Sequence, residues 1–139
     1  MSVKKIYLDN ASTTPCDPRV VQEMIPWFYD HPGNAASRNH PFGWEAEDAV
    51  DHARKQIADL IGVGSKEIIF TSGGTESNNI AIKEIAFAHK QNGNHIITSK
   101  IEHPAVLETC KFLETKGFKI TYLDVDKTGL IDLKQLEKA

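Results

Sequence analysis

The spacing of apolar residues along the chain changes period several times. Three short apolar runs bounded by turn residues, at 67–70, 95–99 and 119–123, predict buried strands. The intervening apolar residues recur at helical spacing and predict helices at 18 to about 26, 44–61, 78–91, 104–116 and from 132 onward. Alternating strands and helices are typical of parallel βαβ units, so the pattern predicts an α/β fold.

Proline, glycine and capping residues divide these elements. Asp17 followed by Pro18 predicts a helix start, and Pro26 predicts a kink or an end of that helix. Residues 31–43, HPGNAASRNHPFG, hold many helix breakers and predict a loop. The helix at 78–91 is apolar on nearly every face, so we expect it to be sandwiched between other elements.

Composition narrows the function classes. The 139 residues are 40% hydrophobic and 25% charged with a net charge of -3, as in a soluble globular protein, and no basic stripe favours nucleic acid. No apolar run nears the roughly 20 residues of a membrane span, and the start lacks a signal peptide's apolar core, so we expect a cytoplasmic location. Cys16 and Cys110 predict free thiols, and the spacing of His31 and His40 matches no common zinc pattern, so no metal is expected.

The stretch TSGGTES, residues 71–77, lies where a strand hands over to a helix. Gly73 and Gly74 allow a ligand close to the backbone, and a helix N-terminus with nearby hydroxyls favours an anion such as one phosphate of a small cofactor. The alternative is a tight turn with a Thr or Ser helix cap. His103 follows the second predicted strand, where its ring could stack on a cofactor, relay a proton or simply cap the next helix.

The segment 124–135, DVDKTGLIDLKQ, resembles a calcium loop and offers a different function class. Its carboxylates, hydroxyl and glycine fall at positions 1, 3, 5, 6 and 9 of such a loop. However, Gln135 replaces the usual bidentate Glu, and the preceding KITYL predicts a strand where a helix is required. An Asp/Gly turn leading into the last helix is the plainer interpretation.

Four segments in order carry a family resemblance: YLDNASTTPCDPRV, GNAASRNHPFGWEAEDAVDHAR, EIIFTSGGTESNNIAIK and HIITSKIEHPAVLETC. Together they resemble the N-terminal part of cysteine desulfurases of the NifS/IscS type, pyridoxal-phosphate-dependent enzymes of the class V aminotransferase group. The resemblance implies a truncated part of a fold-type I large domain, an α/β domain whose mostly parallel sheet is flanked by helices. Residues 1–15 would belong to the small domain or the active-site edge, and residues 16–139 to the incomplete large domain.

The resemblance also implies a site for pyridoxal 5'-phosphate. Gly74 and Thr75 would hold its phosphate, His103 would stack on its ring and help to move protons, and Ala11 and Asn34 would lie near the bound amino acid. The reaction would take sulfur from L-cysteine, leaving L-alanine and an enzyme persulfide. The intact protein would be a homodimer that passes sulfur to an iron–sulfur scaffold or another acceptor.

The chain departs from the family pattern in two respects. Ala35 stands where the family usually has proline. The family's cofactor-binding lysine, pyridine-binding aspartate, nucleophilic cysteine and substrate-binding arginine fall beyond residue 139, and Lys100, Asp124 and Cys110 match none of them. We therefore expect an inactive N-terminal portion with exposed apolar surface and poor solubility. The alternatives are a selenocysteine lyase or other class V enzyme, and a non-catalytic fragment or calcium-binding module.

Overall fold

The structure, a computed structural model, describes residues 5–139. They fall into two compact units, one ending at Ile69 and the other comprising Phe70–Ala139. The predicted division into residues 1–15 and 16–139 stays a prediction, and residues 1–4 lie outside the described part. Among residues 5–139, no helix combines the length and apolar character that crossing a bilayer requires.

The first unit is helical. It contains α1 (Pro18–Met24), a 3-10 helix (Ile25–Phe28), α2 (Pro41–Ile61) and a 3-10 turn (Ser65–Glu67). Asp17 caps α1 by accepting a hydrogen bond from the backbone N–H of Arg19 at 2.8 Å. The predicted start at Pro18 and the predicted break near Pro26 are both confirmed.

The long helix α2 begins three residues earlier than predicted. His40 acts as its cap because Nδ1 accepts a hydrogen bond from the N–H of Gly43 at 3.1 Å, and Pro41 occupies the first helical position. Gly43 is buried inside the helix, and a Cβ there would collide with the carbonyl oxygen of Ser37. Its glycine therefore lets the preceding loop pack against the helix. Gly62, with φ of 73°, ends α2 as predicted.

The predicted strand at 67–70 is wrong. Glu67 belongs to the 3-10 turn, where its carboxylate accepts a hydrogen bond from the N–H of Gly64 at 2.7 Å. Ile68 is extended, but the sheet in the described part of the chain consists of residues 95–99 and 119–123 and does not include this segment. Ile69 is 69% exposed. An extended apolar run becomes a strand only when a neighbour completes its hydrogen bonds.

The second unit carries the sheet. Its elements are α3 (Gly74–Ala88), β1 (His95–Ser99), α4 (Pro104–Glu114), β2 (Lys119–Leu123) and α5 (Leu133–Lys138). β1 and β2 pair in parallel, with His95 opposite Lys119 and Ser99 opposite Leu123, and α4 connects them. The predicted βαβ unit is confirmed, with two strands rather than three in the described sheet.

The core of this unit lies between the helices and the sheet. Ala86, Leu113 and Phe118 form its buried centre, and Ile82, Ile96 and Ile120 pack around them.

Within this unit, one face of α3 packs on α4. Ile85 and Phe87 remain 64% and 44% exposed. The expectation that α3 is sandwiched is therefore wrong for the described residues, whereas the expected exposed apolar surface is present.

Candidate functional site

The helix α3 starts four residues before its predicted start, at the glycine pair. Gly73 is its N-cap and supplies no side-chain cap. Ser77 is the first residue of the helix whose N–H is used, donating to the carbonyl of Gly73 at 3.1 Å. Within residues 5–139, nothing accepts from the N–H groups of Gly74, Thr75 or Glu76. Such unpaired donors at the positive end of a helix dipole attract anions.

The hydroxyl groups around this helix start differ in their availability. Thr71 and Ser77 share a hydrogen bond of 2.6 Å between their hydroxyl oxygens. Ser72 donates its N–H and its hydroxyl to one carboxylate oxygen of Glu76 at 2.6 and 2.7 Å, and these bonds, the N–H first, lower the pKa of Glu76. Among the described residues, none binds the hydroxyl of Thr75. It is therefore the hydroxyl left for a ligand, and the alternative of a Thr or Ser cap is wrong because Gly73 caps the helix.

The space in front of Gly74 is open. A Cβ built on this residue would meet no atom within 4 Å. Gly74 is helical and its φ is not positive, so neither packing nor backbone conformation requires glycine there. An open approach, free N–H donors and one free hydroxyl together fit a phosphate group.

His103 caps α4. Its Nδ1 accepts a hydrogen bond from the N–H of Ala105 at 3.0 Å, and Pro104 takes the first helical position. The capping alternative is therefore confirmed. Because Nδ1 is an acceptor, the proton of the neutral ring is on Nε2. The exposed ring is thus held in one orientation with a donor and its faces available.

Thr75 and His103 line one cavity of about 450 Å³ between α3 and α4. This volume lies in the range of small-molecule pockets. The other lining residues are Asn79, Lys83, Pro104, Ala105, Glu108, Thr109 and Phe112. The structure thus brings together two of the predicted cofactor-binding residues, and the third, Gly74, adjoins Thr75 in the chain.

Two polar residues in this cavity, Asn79 and Thr109, were not predicted as site residues. Asn79 lies on a helix interpreted as apolar, and Thr109 lies among the apolar residues of α4, where it is 3% exposed. The sequence signal for Thr109 is its hydroxyl among apolar residues on the buried face of a helix, because a buried hydroxyl needs a hydrogen-bond partner.

The predicted substrate-adjacent residues lie in the first unit. Ala11 is exposed in a turn in which the N–H of Ser12 donates to the carbonyl of Asp9 at 3.1 Å. The side-chain oxygen of Asn34 accepts from the N–H of Ala36 at 2.9 Å. Their roles near a bound amino acid stay predictions.

The segment 124–135 forms the predicted Asp/Gly turn. One oxygen of Asp126 accepts hydrogen bonds from the hydroxyl and N–H of Thr128 and from the N–H of Leu130, and these bonds, the hydroxyl first, lower its pKa. Gly129 has φ of 88°, and Asp132 caps α5. In the described part of the chain, no three His, Cys, Asp or Glu residues are grouped as a metal site.

The residues that matched no family motif have local partners or are buried. The ammonium of Lys100 pairs with the carboxylate of Asp124 at 2.6 Å. Cys110 is 1% exposed, as predicted for a core thiol, and burial, followed by the nearby charge of Glu114, raises its pKa. Cys16 is exposed, and both thiols are free as predicted.

The second unit is therefore an α/β unit in which two helix N-termini meet at a cavity suited to a small phosphorylated ligand. Comparison with known proteins identifies the family. The chain belongs to the aminotransferase class-V family, whose profile matches residues 6–139.

Individual relatives are cysteine desulfurases. Cysteine desulfurase IscS of Escherichia coli (strain K12 / DH10B) is 57% identical over 136 residues, which cover 96% of this chain and 34% of the relative. A NifS-like protein of known structure superposes with a TM-score of 0.87 at 44% identity, covering 97% of this chain and 37% of that one. DndA from Streptomyces lividans superposes with a TM-score of 0.76 at 40% identity, covering 96% of this chain and 37% of that one.

This chain spans about a third of the length of these relatives. The resemblance to cysteine desulfurases and the predicted fold-type I α/β class are confirmed.

Proposed function

We propose that this chain is the cofactor-holding N-terminal portion of a pyridoxal-phosphate-dependent cysteine desulfurase. The observation that carries the proposal is the shared cavity of Thr75 and His103 beside the unpaired N-terminus of α3. The similarity to cysteine desulfurases supports it, and one solved relative is described as SspA in complex with cysteine.

Gly74 and Thr75 would hold the phosphate of pyridoxal 5'-phosphate. The N–H groups at the start of α3 and the hydroxyl of Thr75 supply donors that this chain does not use. The nearby carboxylate of Glu76 is held by Ser72. Fixed donors at a helix end bind a dianion without reorganising when it arrives.

His103 would contact the pyridine ring. Capping of α4 fixes the imidazole through Nδ1, so the ring can stack on a planar cofactor and present the Nε2 proton. That proton is the one His103 could pass to or from the bound amino acid. When bound, pyridoxal phosphate supplies the electron-withdrawing ring that weakens bonds of the attached amino acid.

The whole protein would release sulfur from L-cysteine as a persulfide and leave L-alanine. By resemblance, the covalent cofactor lysine and the sulfur-accepting cysteine are not among residues 1–139, so we propose that this chain binds the cofactor but does not turn over substrate. Ala11 and Asn34 would adjoin the amino acid. Homodimerisation, sulfur delivery to an iron–sulfur scaffold or another acceptor, and a cytoplasmic location complete the proposal.

A titration followed by NMR tests the cofactor site. The probe is pyridoxine 5'-phosphate, which has no aldehyde and so forms no imines with surface lysines. We expect saturable shifts of the Gly74 and Thr75 amides and of the His103 ring. Thr75→Val should weaken binding by about tenfold through loss of a hydrogen bond to a charged group.

The matched control is Thr98→Val on β1, outside the cavity, which should bind normally. Shifts confined to other residues, or no saturation, would overturn the proposed site.

A further inference from the structure

Hydrogen bonds of Asn79, Thr109 and Ala105 connect the two helix starts that carry the proposed cofactor contacts. The side-chain nitrogen of Asn79 donates to the carbonyl of Thr75 at 2.9 Å, and the hydroxyl of Thr109 lies 3.0 Å from the side-chain oxygen of Asn79. The same hydroxyl lies 2.8 Å from the carbonyl of Ala105, so its single proton is shared between these two acceptors, and the N–H of Ala105 donates to His103. These hydrogen bonds therefore run from the first turn of α3 to the first turn of α4.

The link between the helices exceeds what Thr109 needs for its own solvation. Thr109 is 3% exposed, and its hydroxyl could be satisfied by the carbonyl of Ala105 alone, as is common for helical threonines. Because a hydroxyl has one proton, the contact with Asn79 is the second branch of a three-centre hydrogen bond, and this branch joins α4 to α3. The carbonyl of Thr75 fixes the orientation of the Asn79 amide, because the reversed amide would place its oxygen against that carbonyl.

We propose that Asn79 and Thr109 are positioning residues that set the separation between Thr75 and His103. This inference rests on the proposed function. A cofactor held by its phosphate at α3 and by its ring at α4 requires a fixed spacing between the two helix starts. The Asn79–Thr109 bond lies in the same cavity and opposes sliding of one helix along the other.

Substitution of Thr109 tests the proposal with two ligands. Thr109→Val keeps the shape and removes the donor, whereas Thr109→Ser keeps the donor. We expect Thr109→Val to weaken binding of pyridoxine 5'-phosphate about five- to thirtyfold, as for loss of a coupled contact. Its affinity for inorganic phosphate, which needs only the start of α3, should be unchanged. Thr109→Ser should bind both ligands with the affinities of the original chain.

A double-mutant cycle with His103→Ala separates positioning from general damage. If Thr109 acts through His103, Thr109→Val should have no further effect on pyridoxine 5'-phosphate binding once the imidazole is gone. An undiminished effect in the His103→Ala background, or an equal loss for both ligands, would overturn the inference. If Thr109→Val fails to fold, Asn79→Ala at a half-buried position provides the same test.

The two levels of the proposal fail differently. Normal binding of pyridoxine 5'-phosphate by both Thr109→Val and Asn79→Ala would overturn the positioning role alone. Failure of the unmodified chain to bind this probe would overturn the proposed function and the positioning role together.

Discussion

Replacement of Gly74 by alanine should raise stability and weaken binding of the proposed cofactor. A Cβ at this helical position meets no atom within 4 Å, so the substitution introduces no clash. Glycine-to-alanine changes at compatible positions stabilise by about 0.4–1 kcal/mol because they restrict the unfolded chain. At the first turn of α3 we expect the lower end, about 0.5 kcal/mol, which corresponds to a rise in Tm of roughly 2 °C.

The same methyl group should obstruct the ligand. It would stand in the open space beside the N–H donors of Gly74 and Thr75, where the phosphate of pyridoxine 5'-phosphate is proposed to lie. Displacing a charged oxygen from even one of these donors costs about 1.5–3 kcal/mol, so affinity should fall at least about tenfold. Thermal unfolding by circular dichroism and titration calorimetry measure the two effects separately.

Gly93 provides the matched control. It also has open space at its Cβ position and a φ that is not positive, and it lies outside the cavity of Thr75 and His103. Gly93→Ala should leave binding unchanged. If Gly74→Ala bound the probe as well as the original chain, the phosphate would not lie on this helix start. A lower Tm for Gly74→Ala would contradict the open space inferred at Gly74.

Further predictions concern packing and titration. Gly43→Ala should destabilise the first unit by about 3 kcal/mol because the methyl group would clash with a loop carbonyl. Denaturant unfolding measures this loss, and an unchanged free energy of unfolding would contradict the prediction. In the native chain, a thiol reagent should modify exposed Cys16 and spare buried Cys110, which should react only after unfolding. The pKa of Asp126, measured by NMR, should lie below its ordinary value of 3.8. Its contribution to stability is therefore complete above that value and is lost as the pH falls through the folded-state pKa. Thr128→Val should raise the pKa of Asp126 because it removes the hydroxyl donor.

Local patterns predicted the elements that local interactions determine. β1 and β2 each have an apolar run bounded by turn residues, and their parallel pairing follows from the intervening helix α4. The run at 67–70 has the same local character, but its conformation depends on whether a neighbouring strand is present. That information is not contained in four residues.

The starts of α2 and α3 were harder to predict than those of the other helices because they depend on unusual caps. α2 starts at Pro41 with a histidine cap, and α3 starts at Gly74 with a glycine cap. Residues 31–43 predicted a loop because of their many helix breakers, and the glycine pair at 73–74 predicted a tight turn ahead of the helix. At Gly43 the glycine admits a packed loop, whereas at Gly74 the space that a Cβ would fill is open.

The candidate site could be predicted from the sequence only in part, because some of its contacts join residues that are far apart in the chain. The roles of Thr75 and His103 followed from the family resemblance, and the structure adds that both line one cavity. Asn79 and Thr109 are 30 positions apart, and their hydrogen bond depends on the packing of α3 against α4. No local pattern encodes a contact of that separation.

The second unit places an apolar core and the cavity of Thr75 and His103 on the same pair of helices. Leu113 packs in the core with Ala86, while one turn earlier on the same helix Thr109 faces the cavity and binds Asn79. Apolar packing thus sets the distance between α3 and α4, and the Asn79–Thr109 bond sets their register along the axis. Packing alone tolerates small slides, because apolar contacts are not directional. A directional bond at the ligand end of the helices is therefore the feature that would convert a packed helix pair into a cofactor site with a defined spacing.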